Sequence, residues 1–350
     1  MPIAPVRPGP LNLITDVAGI TVGNAEDPRV RSGVTVLLAD RPAVAAVDVR
    51  GGAPGTAETD ALDLTCIAGG RIEALTLSGG SAFGLEAASG VRAWLARAGR
   101  GLAFGGTVVP VVPTAILFDL TNGGDKAWGD EPPYRRLALR ACDAADRSFR
   151  LGNAGAGMGA RAGQLKGGLG SASWRLAEGP TVGALVAANP WGSVLHPGTA
   201  TFLAWALEQA GELGRQVPPA TALDVASDLD GKRAVPGANT TIGIVATDAD
   251  LTQAEARRLA LMAHDGFARA IRPVHTPFDG DTIFAIATGR TPLPEPRPLW
   301  LARLGTLAAD CMARAIARGV HAAETIGPLE GYGDYRARLE AAADGPARLE

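Results

Sequence analysis

Blocks of glycine set the first limit on what this chain can become. "RGGAPGT" (50–56), "LSGGSAFG" (77–84), "GNAGAGMGA" (152–160) and "LKGGLGSAS" (165–173) each separate short apolar runs. Glycine reaches positive φ without penalty and lets another backbone come close, so such blocks predict turns. The 46 glycines and 25 prolines in 350 residues recur in these blocks between apolar segments. The runs between the blocks are short and rich in β-branched residues. Residues 33–39, 43–49, 74–79, 181–189, 241–248 and 282–289 read as strands.

Helical spacing appears over 82–99, which ends at glycine, and over 199–213. Thr252 and Glu255 form a capping box, after which Ala256, Leu259, Ala263, Phe267 and Ala270 continue one apolar face that stops before Pro273. A last long helix is predicted over 300–322, and residues 327–350 read as a mobile tail or a short surface helix. Strands and helices mix without a strict βαβ period, which favours a layered α+β sandwich at least as much as a doubly wound sheet.

A formal charge of −3 and five per cent aromatics give neither a phosphate-neutralising surface nor a stacking platform, so no nucleic acid partner is expected. Cys66, Cys142 and Cys311 are widely spaced with no C-x-x-C pair, which points to a reducing, cytoplasmic setting. No apolar run reaches the length of a membrane span, and prolines interrupt the N-terminal segment where a secretory signal would be apolar.

Several familiar patterns lack their context. "GAGMGA" (155–160) matches a dinucleotide fingerprint, but the glycine-rich segment after it cannot supply the helix that holds a pyrophosphate. "GGSAF" (79–83) misses the last glycine of a nucleophile elbow and reads as a strand-to-helix turn capped by Ser81. His196, His264, His275 and His321 are scattered along the chain, and no metal site is expected.

Two stretches carry chemistry. In "GANTTIGIVATDA" (237–249) a strand opens with Asn239-Thr240-Thr241 after Pro236 and Gly237, which allow a bend. Cleavage after Asn239 would free the amine of Thr240, and an N-terminal threonine carries its own base. In "FDGDT" (278–282) Asp279 and Asp281 flank a glycine just before another strand, where a carboxylate can orient the hydroxyl and stabilise the protonated amine. A plain strand start, a plain turn or a weak calcium loop explains the same residues without catalysis.

Together with "NLITDVAGITVG", "VRGGAPGTAETD", "LSGGSAFGLEAASGV", "VPVVPTAILFDL" and "GAGMGA", these stretches resemble the L-aminopeptidase/D-esterase family of self-processing peptidases, which includes β-aminopeptidases and aminohexanoate-oligomer (nylon oligomer) hydrolases. The resemblance covers residues 11 to 290. It implies a four-layer αββα sandwich similar to that of N-terminal-nucleophile hydrolases, one catalytic domain cut into chains 1–239 and 240–350, a homotetramer of processed pairs, and amide hydrolysis of a small peptide or amide without a cofactor.

The resemblance assigns Thr240 as the nucleophile, Asp279 and Asp281 as the acidic pair of the nylon-oligomer branch, Asn189 as an oxyanion donor and Lys166 as a lysine near the nucleophile. Phe118 stands where relatives place a tyrosine. With Gly80 and Ser81 it is expected to line the substrate cleft, the glycine blocks offering bare backbone N–H groups. The activity implied is that of an aminopeptidase. Its alternatives are an endo-type nylon-oligomer hydrolase and an acyltransferase similar to ornithine acetyltransferase.

Overall fold

In the computed structural model, residues 6–66, 70–220, 222 and 239–343 are described. The principal strands are β1 (Ile20–Asp27), β2 (Ser32–Val49), β3 (Arg71–Ser78), β4 (Thr114–Ile116), β5 (Gly168–Leu176), β6 (Thr181–Ala188), β7 (Ile242–Ala249) and β8 (Thr282–Thr291). The α-helices are α1 (Ala87–Arg97), α2 (Tyr134–Asp143), α3 (Gln253–Ala270), α4 (Arg297–His321) and α5 (Tyr332–Ala343). The strands pair in the order β5-β6-β7-β8-β2-β3-β4, with β1 on the free side of β2.

β2 explains how one hydrogen-bonded path makes two layers. The sequence predicts two strands, 33–39 and 43–49, and both belong to this single 18-residue strand. Its first half pairs with β1 and β3, its second half pairs with β8, and the register shifts between Leu38 and Ala43 around the exposed Asp40-Arg41-Pro42.

Three buried clusters then separate four layers. Leu37, Leu75, Leu77, Leu117, Leu169, Leu185, Ile242, Ile244, Phe284 and Ile286 fill the space between the two sheet halves. Val245, Ile283 and Ala285 point the other way and pack with Leu259, Phe267, Met312 and Ile316 of α3 and α4. Val34, Val36 and Leu38 pack with Val91, Leu95, Leu137 and Ala141 of α1 and α2. The strict alternation of side chains along β2, β7 and β8 sends one set to the middle cluster and the other to a helix layer. The expected αββα sandwich is the fold observed.

Three local expectations are corrected. The glycine block at 165–173 is mostly not a turn: from Gly168 it is the buried strand β5. A Cβ on Gly170 would lie 1.8 Å from the Ala315 carbonyl oxygen, and one on Gly168 would lie 2.2 Å from that of Gly319, so these glycines let α4 sit directly on the sheet. Ser81 makes no capping hydrogen bond, and the predicted helix 82–99 opens with the 3-10 turn Ser81–Glu86 before α1. The predicted helix 199–213 is only the short turn Trp205–Leu207.

Local side-chain hydrogen bonds and a distant aromatic contact overrode helix propensity in that last segment. The Glu208 carboxylate accepts from the backbone N–H groups of Leu213, Arg215 and Gln216 at 2.8, 2.8 and 2.6 Å, and Phe202 stacks on Tyr332 at 4.6 Å. The Pro236-Gly237 bend and residues 344–350 lie outside the described residues.

The same segment supplies Glu212, whose carboxylate binds the fully buried Arg314 of α4 at 2.7 and 2.9 Å. Arg314 also stacks on Trp174 of β5 at 4.4 Å and reaches Asn12 at 2.9 Å. Removing one partner of a buried pair leaves the other charge uncompensated. Glu212→Ala should therefore lower stability by about 3 kcal/mol or more, and adding Arg314→Met should recover much of the loss; thermal unfolding of both variants checks this.

Candidate active site

β7 and β8 are parallel neighbours, joined by α3 crossing over between them, with Ile242 opposite Thr282. Parallel strands begin at the same end of a sheet. The residues just before each strand therefore meet there, and Asn239 bridges Asp279. β6 runs antiparallel to β7 and ends at Ala188, which brings Asn189 to the same end. Lys166 precedes β5 at that end, and Arg50 to Ala53 leave β2 there.

The Thr240 N–H donates to the Asn189 carbonyl at 2.9 Å, and its side chain is buried, 2% exposed. The Thr240 hydroxyl donates to the Asn239 carbonyl oxygen, which also accepts the Gly280 N–H at 3.1 Å. Gly280 has to be glycine here, because a Cβ would lie 2.7 Å from Thr240 Oγ1 and 2.7 Å from the Ala53 carbonyl oxygen.

Asp279 and Asp281 are each 1% exposed. Asp281 accepts from the Thr241 N–H at 2.8 Å through Oδ1, and from the His275 N–H at 3.2 Å and Nδ1 at 2.8 Å through Oδ2. Asp279 accepts from the Trp191 N–H at 3.0 Å and from the N–H and hydroxyl of Thr276. Burial, reinforced by the neighbouring Asp281 charge, pushes the Asp279 carboxyl above the usual carboxylate range. Their turn is braced by Arg50 and Gly51 donating to the Asp281 carbonyl, and Ala53 to that of Asp279.

Asn189 is 2% exposed; its Oδ1 accepts the Arg161 N–H at 2.8 Å and its Nδ2 donates to the Phe118 carbonyl at 3.2 Å. Phe118 thus enters the site through its backbone, with its ring half-buried. Gly80 and Ser81 lie beside it, but their N–H groups are already engaged. That of Gly80 donates to Asp119 at 2.8 Å and that of Ser81 to the Leu117 carbonyl at 2.9 Å, so neither is free for a substrate oxygen.

Lys166 is fully buried and donates to the carbonyls of Gly157 and Gly167 at 2.8 and 2.6 Å. Burial lowers its pKa to about 7, partly offset by the Asp119 charge.

Sequence reasoning missed Asp119, His275 and the N–H of Gly280. Asp119 follows Phe118, is 3% exposed, and has its carboxyl pushed up by burial. His264 on α3 and His275 in the turn before β8 meet with ring centroids 4.9 Å apart. Nothing in their spacing announces this, because the contact is made by α3 and the turn before β8. Among the described residues no group of three or more His, Cys, Asp or Glu side chains converges on a metal position.

The chain is 44% identical to an uncharacterized aminopeptidase of Mycobacterium tuberculosis, over 93% of this chain and 98% of the relative. It is 30% identical to a 6-aminohexanoate-oligomer endohydrolase of Paenarthrobacter ureafaciens, over 83% and 79% of the two chains. In fold it is similar to a β-aminopeptidase of Burkholderia sp., with a TM-score of 0.72, 25% identity, and 99% and 97% coverage. The L-aminopeptidase D-Ala-esterase/amidase of Ochrobactrum anthropi, an N-terminal-nucleophile hydrolase variant, superposes with a TM-score of 0.68 at 22% identity, covering 96% of each chain. Residues 12–332 match the model of peptidase family S58, and the chain belongs to that family.

Proposed function

We propose that this peptidase-family protein is a self-processing amide hydrolase of aminopeptidase type, cut between Asn239 and Thr240, with Thr240 as its nucleophile. The observation that carries the reading is the convergence of the Thr240 hydroxyl and the Gly280 N–H on the Asn239 carbonyl oxygen. A small rotation about the Thr240 side chain brings Oγ1 to the carbonyl carbon. As that bond forms, the oxygen gains negative charge, and the Gly280 N–H already lies on it.

The carbon–nitrogen bond then breaks, the Thr240 nitrogen takes up the proton that the hydroxyl releases, and an ester links Asn239 to Oγ1. Water hydrolyses the ester to the Asn239 carboxylate and restores the hydroxyl. The new amine, with an ordinary pKa of about 7.7–8.0, accepts the hydroxyl proton when Oγ1 attacks a substrate carbonyl and returns it to the leaving amine. Water then releases the acyl group from Thr240.

Asp281, whose Oδ1 accepts from the Thr241 N–H next in the chain, supplies the carboxylate that stabilises this amine. Asn189 Nδ2 is a donor for the substrate oxyanion. Phe118 brings no hydroxyl to that task.

The 44% identity to named aminopeptidases favours exo action. The 30% relative named as an endohydrolase of 6-aminohexanoate oligomers supports a second reading, internal cleavage of oligoamides. Product patterns on linear oligomers and aminoacyl p-nitroanilides separate the two, and an acylated product with a free amino-acid acceptor would instead mark acyl transfer. Assembly into a tetramer of processed pairs and a cytoplasmic setting belong to the same proposal, the latter supported by three free cysteines.

Purified protein should run as two associated chains, 1–239 and 240–350, of roughly 24 and 11 kDa by share of chain length. Thr240→Ala should stay uncut and inactive yet folded. Intact mass and N-terminal sequencing decide this, and an active chain that remains whole would sink the mechanism. Gly280→Ala should push the hydroxyl aside and slow self-cleavage at least about tenfold, the scale of a misplaced reacting group, and should also lower the melting temperature because its Cβ meets the Ala53 carbonyl oxygen; a time course of precursor loss beside a melting curve reads both.

Lys166 gives a pH test. Between pH 7 and the usual lysine value of about 10.4 the unfolded chain holds a proton that the folded chain has released. Stability from this group therefore rises with pH across that window and is flat below it. In a Thr240→Ala background, Lys166→Met should remove a slope of up to about 1.4 kcal/mol per pH unit. Parallel melting profiles from pH 7 to 9.5 would show that Lys166 keeps its proton.

A further inference from the structure

The acidic turn is backed by a histidine pair that the mechanism above does not use. His275 sits six residues before Asp281 with φ of 54°, a left-handed conformation in which histidine, asparagine and aspartate are enriched. That conformation turns both of its donors onto one oxygen. Nδ1 lies 2.8 Å and the backbone nitrogen 3.2 Å from Asp281 Oδ2. The backbone N–H can only donate to Oδ2, and a hydrogen on Nδ1 makes the ring a second donor to the same oxygen.

Asp281 is thereby held at both ends, by Thr241 on Oδ1 and by His275 on Oδ2. The groups facing the His275 ring are His264 and Phe267 of α3, at 4.9 and 6.0 Å between centroids. His264 is 2% exposed, with Nε2 3.1 Å from the Asp48 carbonyl oxygen and 3.4 Å from the Asp48 carboxylate, which is paired with Arg50. Burial lowers the His264 pKa to about 4, so it stays neutral and adds no cation to compete for Asp281.

We propose that His275 is a positioning residue. Its Nδ1–H locks the plane of the Asp281 carboxylate, so that Oδ1 stays on the Thr241 N–H and the charge faces the amine of Thr240. The proposal rests on the Thr240 reading given above. It does not require His275 to touch substrate or to change protonation during turnover.

The test compares His275→Ala and His275→Asn in the full chain with Thr240→Ala as control, measuring precursor fraction, melting temperature, kcat and KM on an aminoacyl p-nitroanilide. Asparagine tolerates the left-handed backbone and places its Nδ2 where Nδ1 was, so it restores the bond without the ring. His275→Ala should lose about ten- to a hundredfold in kcat, as for a misaligned reacting group, with KM within about twofold. His275→Asn should recover to within about threefold of wild type. Loss of self-cleavage in the alanine variant with recovery in the asparagine variant supports the proposal equally. Wild-type turnover in His275→Ala overturns it, as does an equal defect in both variants, which would assign the ring to packing alone. Full activity in Thr240→Ala would instead overturn the nucleophile reading itself.

Discussion

The structure depends on the parallel hydrogen bonding of β7 to β8. Most other pairs in the sheet path are antiparallel, so this pair requires the crossover through α3, and it places the starts of two strands side by side. Thr240 and the Asp279–Asp281 turn are neighbours for that reason alone. Were the pair antiparallel, the turn would face the far end of β7. Asn189, Lys166 and the Arg50–Ala53 segment arrive because β6, β5 and β2 run in the directions the same sheet demands.

Close backbone approach is the second constraint, and glycine meets it in two ways. At Gly168 and Gly170 the missing side chain lets α4 lie against β5, which brings the helix layer down onto the strand that follows Lys166. At Gly280 the missing side chain leaves room for the Thr240 hydroxyl and leaves an N–H pointing at the Asn239 carbonyl oxygen. The first use seats a helix on a strand and the second seats a hydroxyl beside a peptide bond, although both positions read alike in the sequence.

Burying ionisable groups at one sheet end costs stability, and the site offsets the cost with many backbone donors and acceptors. Asp279 and Asp281 together accept from Trp191, Thr276, Thr241 and His275, and Lys166 donates to two carbonyls. The remaining imbalance appears as an Asp279 carboxyl and an Asp119 carboxyl pushed up, and a Lys166 ammonium pushed down. Such opposed shifts in one enclosed place are a mark of functional sites.

The sequence by itself determined the elements whose periodicity is local: the alternating strands at 241–248 and 282–289, the capped helix after Thr252, and the αββα class through its family motifs. The candidate residues Thr240, Asn189, Lys166, Asp279 and Asp281 were legible because short motifs flank them. Tertiary structure alone decided what depends on partners distant in the chain. The glycine run at 168–173 becomes a strand because α4 covers it, and 199–213 is not a helix because Glu212 binds Arg314 and Phe202 stacks on Tyr332. It also decided that Asp281 meets the Thr241 N–H and that Gly280 faces Asn239. Local pattern records the preference of a segment for its own neighbours, whereas hydrogen bonds across the sheet end are set only when the strands take their register.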